Sequence, residues 1–323
     1  MKAIDWGETI LGVASPADTW SSLFEALCQC ARDASSPTQL QNETVAPDRL
    51  LSESAWDLWL SYPHEASLTS QALIDWCRPG PSPTGRAVLV LDALSLREMK
   101  PILEAAEERE LVPTTIRVTG SEAPSETGAF AEALGVTQRS SLANGSAPSG
   151  FKLFGGNVHT DVLSHPFEDC VGSVPNSPNV VLWHSYLDDL IHVHKRTPDQ
   201  IAVAVTAALR GDGFWKLVDK LRQGRKLLIT SDHGYAVSKF FSAEERDEGT
   251  VAALRKTFGA SRAVSDSKPW ERRFMPPVAM THNGYHVVMG QCKWIAKGGF
   301  PQVCHGGLSL LEVAVPFLEF PPL

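Results

Sequence analysis

Residues Lys226–Tyr235 read KLLITSDHGY. Leu227–Ile229 is an apolar run of strand length, and Ser231-Asp232-His233-Gly234 closes it with an Asp, a His and a turn-forming glycine. A buried strand ending this way delivers two polar side chains to its C-terminal edge, where open α/β sheets gather their ligands. Carboxylate oxygen and imidazole nitrogen are both ordinary zinc ligands. An Asp-His-Gly turn can also be no more than a turn, so its weight depends on partners elsewhere in the chain.

Such partners recur on both sides of this stretch. Upstream, Arg86–Leu91 (RAVLVL) is another buried-strand run, and Asp92 follows it. The next helix, expected over Ser95–Arg109 with Pro101 as a kink or restart point, already has a capping box in Ser95 and Glu98. Asp92 is therefore left without a capping duty. Pro113–Thr119 reads as a further strand, then Glu122–Gly128, then a short helix over Ala129–Leu134. Thr127, at the start of that helix, can be an N-cap or a nucleophile. Asn179–Trp183 (NVVLW) is the next strand, followed by a helix over His184–Arg196. Asp188 and His192 are four apart on it and share a face. His184 is held as a reserve ligand, and His194, off that face, as a non-ligand. A helix over Thr197–Arg210 with Pro198 at its first position and another over Phe214–Leu221 lead into Lys226–Tyr235.

The composition is that of an ordinary globular chain: 323 residues, 43% hydrophobic and 20% charged, with a net charge of −8. Residues 1–60 hold nine acids and three bases, which excludes a basic coat for nucleic acid over the whole surface but leaves room for a local patch. Six cysteines lack paired zinc spacing. Asp5 and Glu8 interrupt any secretory apolar region, and no apolar run nears the ~20 residues that span a bilayer. The expectation is a cytoplasmic protein with reduced thiols and no membrane partner.

Residues 1–85 read as a helical accessory region, separated by Pro79–Gly85 from a domain over residues 86–323. Ser15 caps its first strong helix, Ala17–Ala31, with shorter ones expected over Ser52–Leu60 and Thr69–Cys77. Gly135–Pro178 reads as a long Ser/Gly/Asn-rich connection with two surface histidines, His159 and His165. Residues 252–273 carry six bases, among them Arg255, Lys256 and Arg262, and Trp270 is interleaved with them. Such a mixture suits a solvated loop or a single-stranded nucleic-acid or phosphodiester path, and these four are candidate substrate contacts. His286–Met289 reads as a late strand. Near the end, Cys304–Glu312 (CHGGLSLLE) sets His305 before two glycines, and a last strand is expected over Val313–Phe320.

In order and local sequence, the motifs VLVLDALS, PSET, HSYLDDLIH, TSDHG and HGGLSLLEVAVP resemble the alkaline phosphatase superfamily, and within it the PglZ domain. The resemblance spans about residues 86–323. It implies an α/β fold: an alkaline-phosphatase-like, doubly wound, mostly parallel sheet flanked by helices and preceded here by a small helical region. It also implies two divalent ions. Asp92, Thr127, Asp232 and His233 would hold one, and Asp188, His192 and His305 the other, with Thr127 as nucleophile. Zinc suits the histidines, and manganese is compatible with the carboxylates. The slot lacks the cysteine of the sulfatase branch.

PglZ domains are associated with bacterial phage-defence clusters of the BREX type and with signalling proteins. The expected activity is a phosphodiesterase or nuclease acting on nucleic acid or nucleotides. The alternatives are a phosphomonoesterase and a non-catalytic module that docks defence-system partners through residues 1–85.

Overall fold

The structure is a computed structural model that describes residues 4–13, 15–78, 84–192, 197–243, 248–270 and 275–323. His194, Arg272, Arg273 and most of the Pro79–Gly85 boundary lie outside the described residues.

Six strands form the central sheet: β1 (Gly85–Leu91), β2 (Thr115–Gly120), β3 (His159–Leu163), β4 (Asn179–His184), β5 (Arg225–Thr230) and β6 (Ala314–Phe320). Their order is β2-β6-β5-β1-β4-β3. β3, β4, β1 and β5 pair in parallel, with Leu89 of β1 opposite Leu182 and Ile229. β6 runs antiparallel to both β5 and β2. The continuous apolar runs of β1, β4 and β5 follow from burial on both faces. Along β1, Ala87, Leu89 and Leu91 join one packed cluster, while Val88 and Val90 join another on the opposite side.

Helices cover both faces. The first cluster is closed by α1 (Trp6–Leu11), α2 (Pro16–Asp33), α3 (Pro37–Glu53), α4 (Trp56–Glu65), α6 (Met99–Glu107), α10 (Pro198–Arg210) and α11 (Asp212–Arg222). The second takes Leu73 from α5 (Thr69–Trp76) and Phe130 from α7 (Thr127–Ala133). Apolar side chains of α1–α4 thus belong to the same core as the first face of the sheet, with the buried Trp20 and Trp59 rings packed at a tilt, 5.1 Å between centroids. Ser15 and Ser36 each cap a helix whose next residue is proline.

Several expected bounds shift. α3 runs through Pro47 to Glu53, and α4 begins only at Trp56, so the helix expected over Ser52–Leu60 is two partial ones. The sequence Ser36-Pro37 carries the same start signal as Ser15-Pro16, and the prolines at 37, 47 and 63 sit within helices rather than between them. Ser95 and Glu98 do form a capping box, on a single 3-10 turn that passes into α6 at Met99. The connection after α7 contains the edge strand β3 and the short helix α8 (Phe167–Cys170). Tyr285–Val288 forms a strand, but in a separate three-stranded antiparallel sheet with Ala263–Ser265 and Ala279–His282. That sheet and α12 (Glu248–Phe258) share their own small core of Leu254, Phe258, Val288 and Trp294. No described helix is long and apolar enough to cross a membrane.

Candidate metal centre

Asp92 follows β1, Thr127 opens α7 after β2, Asp188 and His192 lie on α9 (Tyr186–His192) after β4, and Asp232 and His233 follow β5. All stand at the C-terminal edge of the parallel strands. His305 precedes β6, and because β6 is antiparallel its beginning faces that same edge. A short helix, α13 (Leu310–Val313), separates the two.

The structure brings these side chains together in two sets. Ligand atoms of Asp92, Asp232 and His233 lie within 4.8 Å of one another, as do those of Asp188, His192 and His305. Each set could hold a divalent ion. The first is fully buried. Thr127 Oγ1 donates to Asp232 Oδ2 at 2.7 Å and lies 3.4 Å from Asp92 Oδ1 and 3.5 Å from His233 Nε2. His233 Nε2 is 3.7 Å from a carboxylate oxygen of both Asp92 and Asp232. Its Nδ1 sits 3.0 Å from the Gly234 carbonyl, which accepts only from an N–H. That contact places the lone pair on Nε2, toward the carboxylates. Three buried electron-rich groups and a hydroxyl converging on one point suit a cation between them.

In the second set His192 Nε2 lies 3.1 Å from Asp188 Oδ1. That hydrogen bond raises the His192 pKa above the usual imidazole value. Burial works against ionisation of Asp188, but the His192 hydrogen bond and three neighbouring histidines together hold its carboxyl below the ordinary range. His305 is pushed down to about 3, chiefly by burial, so it is neutral, and its buried Nδ1 has no hydrogen-bond partner among the described residues. Three ligands with one side open is the donor count of a catalytic zinc site. The rings of His233 and His305 stack with centroids 4.5 Å apart, so the two sets adjoin through this pair.

Glycines and buried polar contacts hold this geometry. Gly306 N donates to both the carbonyl and the hydroxyl of Ser125, and Ser125 Oγ donates to Gly307 O at 2.8 Å. The PSET and HGG segments are thereby stitched together. Gly306 has φ +91°, and a Cβ there would come 2.8 Å from Glu126 Oε1. A Cβ on Gly234 would collide with the Leu311 carbonyl. Glu312 accepts from Gly307 N and from Ser309 Oγ at 2.6 Å, and pairs with Arg262 Nε at 2.7 Å.

Arg262 is therefore not a substrate contact. Its side chain is fully buried, donating also to the carbonyls of Cys292 and Gly290 and lying over the Phe241 ring. A basic residue in a basic stretch looks solvated, and only the distant Glu312 explains its burial. Trp270 is half-buried with its ring against Phe258, part of the small core beside α12 rather than an open stacking platform. Arg255 and Lys256 are exposed on α12, with Arg255 Nε donating to Ile295 O at 2.9 Å. His184 ends β4 buried against Phe167, outside both ligand sets, and burial lowers it to about 4. His159 is half-buried in β3, and His165 is exposed.

Three residues that sequence reasoning passed over reach the centre or its supports. Asp48, on α3, accepts from Leu310 N at 3.0 Å and from Gln291 Nε2 at 2.7 Å. Gln41, two turns back on the same face of α3, accepts from Val237 N at 3.2 Å. Arg139, in the 3-10 turn Arg139–Leu142, forms an ion pair with Asp92. A buried-type position for a polar residue inside an amphipathic helix was the one available signal for Asp48. Arg139 sits among Ser, Asn and Gly with no local pattern.

No known family profile matches the chain, and neither does any curated protein. Among solved structures, a phosphonoacetate hydrolase from Sinorhizobium meliloti 1021 is similar at 12% identity, covering 74% of this chain and 90% of that one, with a TM-score of 0.41. The murine ectonucleotide pyrophosphatase/phosphodiesterase 5 in complex with AMP is similar at 15% identity, covering 74% and 88%, with a TM-score of 0.42. Neither likeness is close enough to assign this chain an activity.

Proposed function

We propose that the protein is a metal-dependent phosphoric ester hydrolase of the alkaline-phosphatase kind, with Thr127 as nucleophile. The observation that carries this is the Thr127 hydroxyl, 2.7 Å from Asp232 within the Asp92–Asp232–His233 set and next to the second set. A structural threonine at a helix start caps backbone N–H groups, whereas here Glu126 occupies the cap position and the hydroxyl turns to the carboxylates.

Asp92, Asp232 and His233 would hold one divalent ion, with Thr127, and Asp188, His192 and His305 the other. Such a pair supplies charge to the phosphoryl oxygens and acidity to the threonine hydroxyl and to water. Thr127 Oγ gives up its proton and forms a bond to phosphorus, and the bond from phosphorus to the leaving oxygen breaks. Water then cleaves the threonine ester, returning the hydroxyl and freeing phosphate or a phosphomonoester. The stacked His233 and His305 rings keep the two donor sets at a fixed separation during both steps. Zinc fits three imidazoles among the donors, and manganese is the second choice.

A phosphodiester or nucleotide substrate is our first reading, resting on the PglZ-like motifs and on exposed Arg255 and Lys256. A phosphomonoester is the second, favoured by the Arg139 guanidinium beside Asp92. The same motifs support a role in BREX-type phage defence or nucleotide signalling, in the cytoplasm, with partners meeting the outer faces of α1–α5. The experiment is a screen of zinc- and manganese-loaded protein against p-nitrophenyl phosphate, bis-p-nitrophenyl phosphate and short single-stranded DNA. Turnover that requires metal and Thr127 supports the assignment. A protein that takes up no ion and turns over none of the three refutes it.

A further inference from the structure

We infer that α3 positions His305: through Gln41 and Asp48 it fixes both ends of the segment Val303–Leu310, and with them the affinity of the Asp188–His192–His305 set for its ion. The inference deepens the function proposed above and rests on its metal centre.

The donors are not all held in the same way. Asp92, Asp232 and His233 follow strands in the middle of the parallel sheet, and Asp188 and His192 project from one helix. His305 instead lies in a connection between the two-residue strand Val303–Cys304 and α13. Its neighbour Gly306 is tied to Ser125, but the two ends of the segment are tied to α3. At the near end Val303 pairs with Val237, and Val237 N donates to Gln41 Oε1 at 3.2 Å. At the far end Leu310 N lies 3.0 Å from Asp48 Oδ1 and 3.2 Å from Oδ2. Asp48 also accepts from Gln291 Nε2, and Gly290, the residue before it, donates its N–H to the Leu308 carbonyl at 2.7 Å. Gln41 and Asp48 share one face of α3 and are fully buried, so a single helix braces the whole segment.

Asp48 makes no ion pair among the described residues; its hydrogen bonds go to the chain on either side of the His305 segment. A bound ion needs its ligand atoms held within about 0.5 Å of their bonding positions. The residues from Gly306 to Leu310 are all buried, and a packed interior transmits a displacement instead of absorbing it. Loosening Leu310 therefore reaches the His305 ring. No hydrogen bond among the described residues joins Gln41 or Asp48 to Asp92, Asp232 or His233, so the first set keeps its geometry when α3 lets go. Part of residues 1–85 thus belongs to the scaffold of the metal centre and is not a detachable module.

The test uses the whole protein, zinc as probe, and the variants Asp48→Ala, Asp48→Asn and His305→Ala. Zinc affinity is read by competition with a chromophoric chelator, and the binding step lost or weakened in His305→Ala identifies the second set. Asp48→Ala should weaken that step ~10- to 100-fold, the usual cost of removing a support behind a ligand, and leave the other step unchanged. Asp48→Asn should bind as the wild type does, because its amide carbonyl still accepts from Leu310 N. A residue that only stabilises the fold would weaken both steps alike, and that result overturns the inference. So does wild-type affinity at both steps in Asp48→Ala, or a loss in Asp48→Asn as large as in Asp48→Ala. If Asp48→Ala fails to fold, Gln41→Leu decides by the same selective loss at the second set. A wild type that takes up no zinc overturns the metal centre and this inference with it. Protein that fills both sets with affinities indifferent to Asp48 and Gln41 overturns this inference only.

Discussion

Replacing Arg262 with methionine separates a structural arginine from a substrate-binding one. Both members of the Arg262–Glu312 pair have fully buried side chains. Methionine fills much of the arginine's volume, yet it strands the Glu312 carboxylate and leaves the Gly290 and Cys292 carbonyls without their donor. Breaking a buried pair from one side costs about 3–5 kcal/mol. Gly307 N and Ser309 Oγ still donate to Glu312, so the lower part of that range applies, about 3 kcal/mol. A folded domain holds ~5–15 kcal/mol in all, so the loss should be plain in a urea titration monitored by tryptophan fluorescence. The double variant Arg262→Met/Glu312→Leu should recover most of it, since no charge is then left inside. If Arg262→Met unfolds at the wild-type urea concentration and only its affinity for a diester falls, Arg262 contacts substrate and the buried-pair reasoning is wrong.

Thr127→Ala should lower turnover of whichever ester is cleaved by at least ~10³-fold while retaining about two ions per chain, because the carboxylates and imidazoles remain; metal analysis beside the rate measurement checks both halves. Burial pushes Asp48 up to about 8, against about 3.9 in an unfolded chain. The folded protein therefore keeps a proton that the unfolded chain loses, and stability from this group falls as pH rises from about 4 to 8, by at most ~6 kcal/mol. Asp48→Asn should flatten that part of the profile in urea titrations at pH 5 and pH 8, and an unchanged slope would count against it. Zinc competes with a proton at His192, whose pKa is raised by its hydrogen bond to Asp188, whereas His305 is already neutral. Uptake by the Asp188–His192–His305 set should weaken first as pH falls through the His192 value, so zinc titrations at pH 8 and pH 6 should differ by one ion per chain. Simultaneous loss of both ions would contradict it.

Most of the sheet was legible because its strands are buried on both faces, which writes them as unbroken apolar runs: RAVLVL, NVVLW and KLLIT. The candidate donors were legible in part, since Asp92, Asp232 and His233 come within three residues of their strands' ends and Asp188 and His192 share one helical face. β3 was not, because HTDVL is an edge strand with polar residues on it and its neighbours are Ser, Gly and Asn. Proline misled the reading of α3, where Pro37 starts a helix and Pro47 is accommodated inside it. Arg262 and Asp48 were illegible for a different reason. What makes each of them buried is a partner hundreds of residues or tens of residues away, Leu310 for one and Glu312 for the other, and no local period encodes a contact of that span.

β6 lies between β2 and β5, yet it follows both in the chain. A ribosome delivers β2 long before the strand that joins it to the rest of the sheet, and N-terminal segments begin to fold as they emerge. Until Ala314–Phe320 arrives, β2 has an unfilled edge within the sheet, and Thr127 hangs on a strand not yet docked beside Asp232. His305 sits just ahead of β6, so the same late event completes the Asp188–His192–His305 set, whereas Asp92, Asp232 and His233 have all emerged with β1 and β5. Closure of the sheet and completion of the second donor set thus coincide in biosynthesis, both waiting on the last strand.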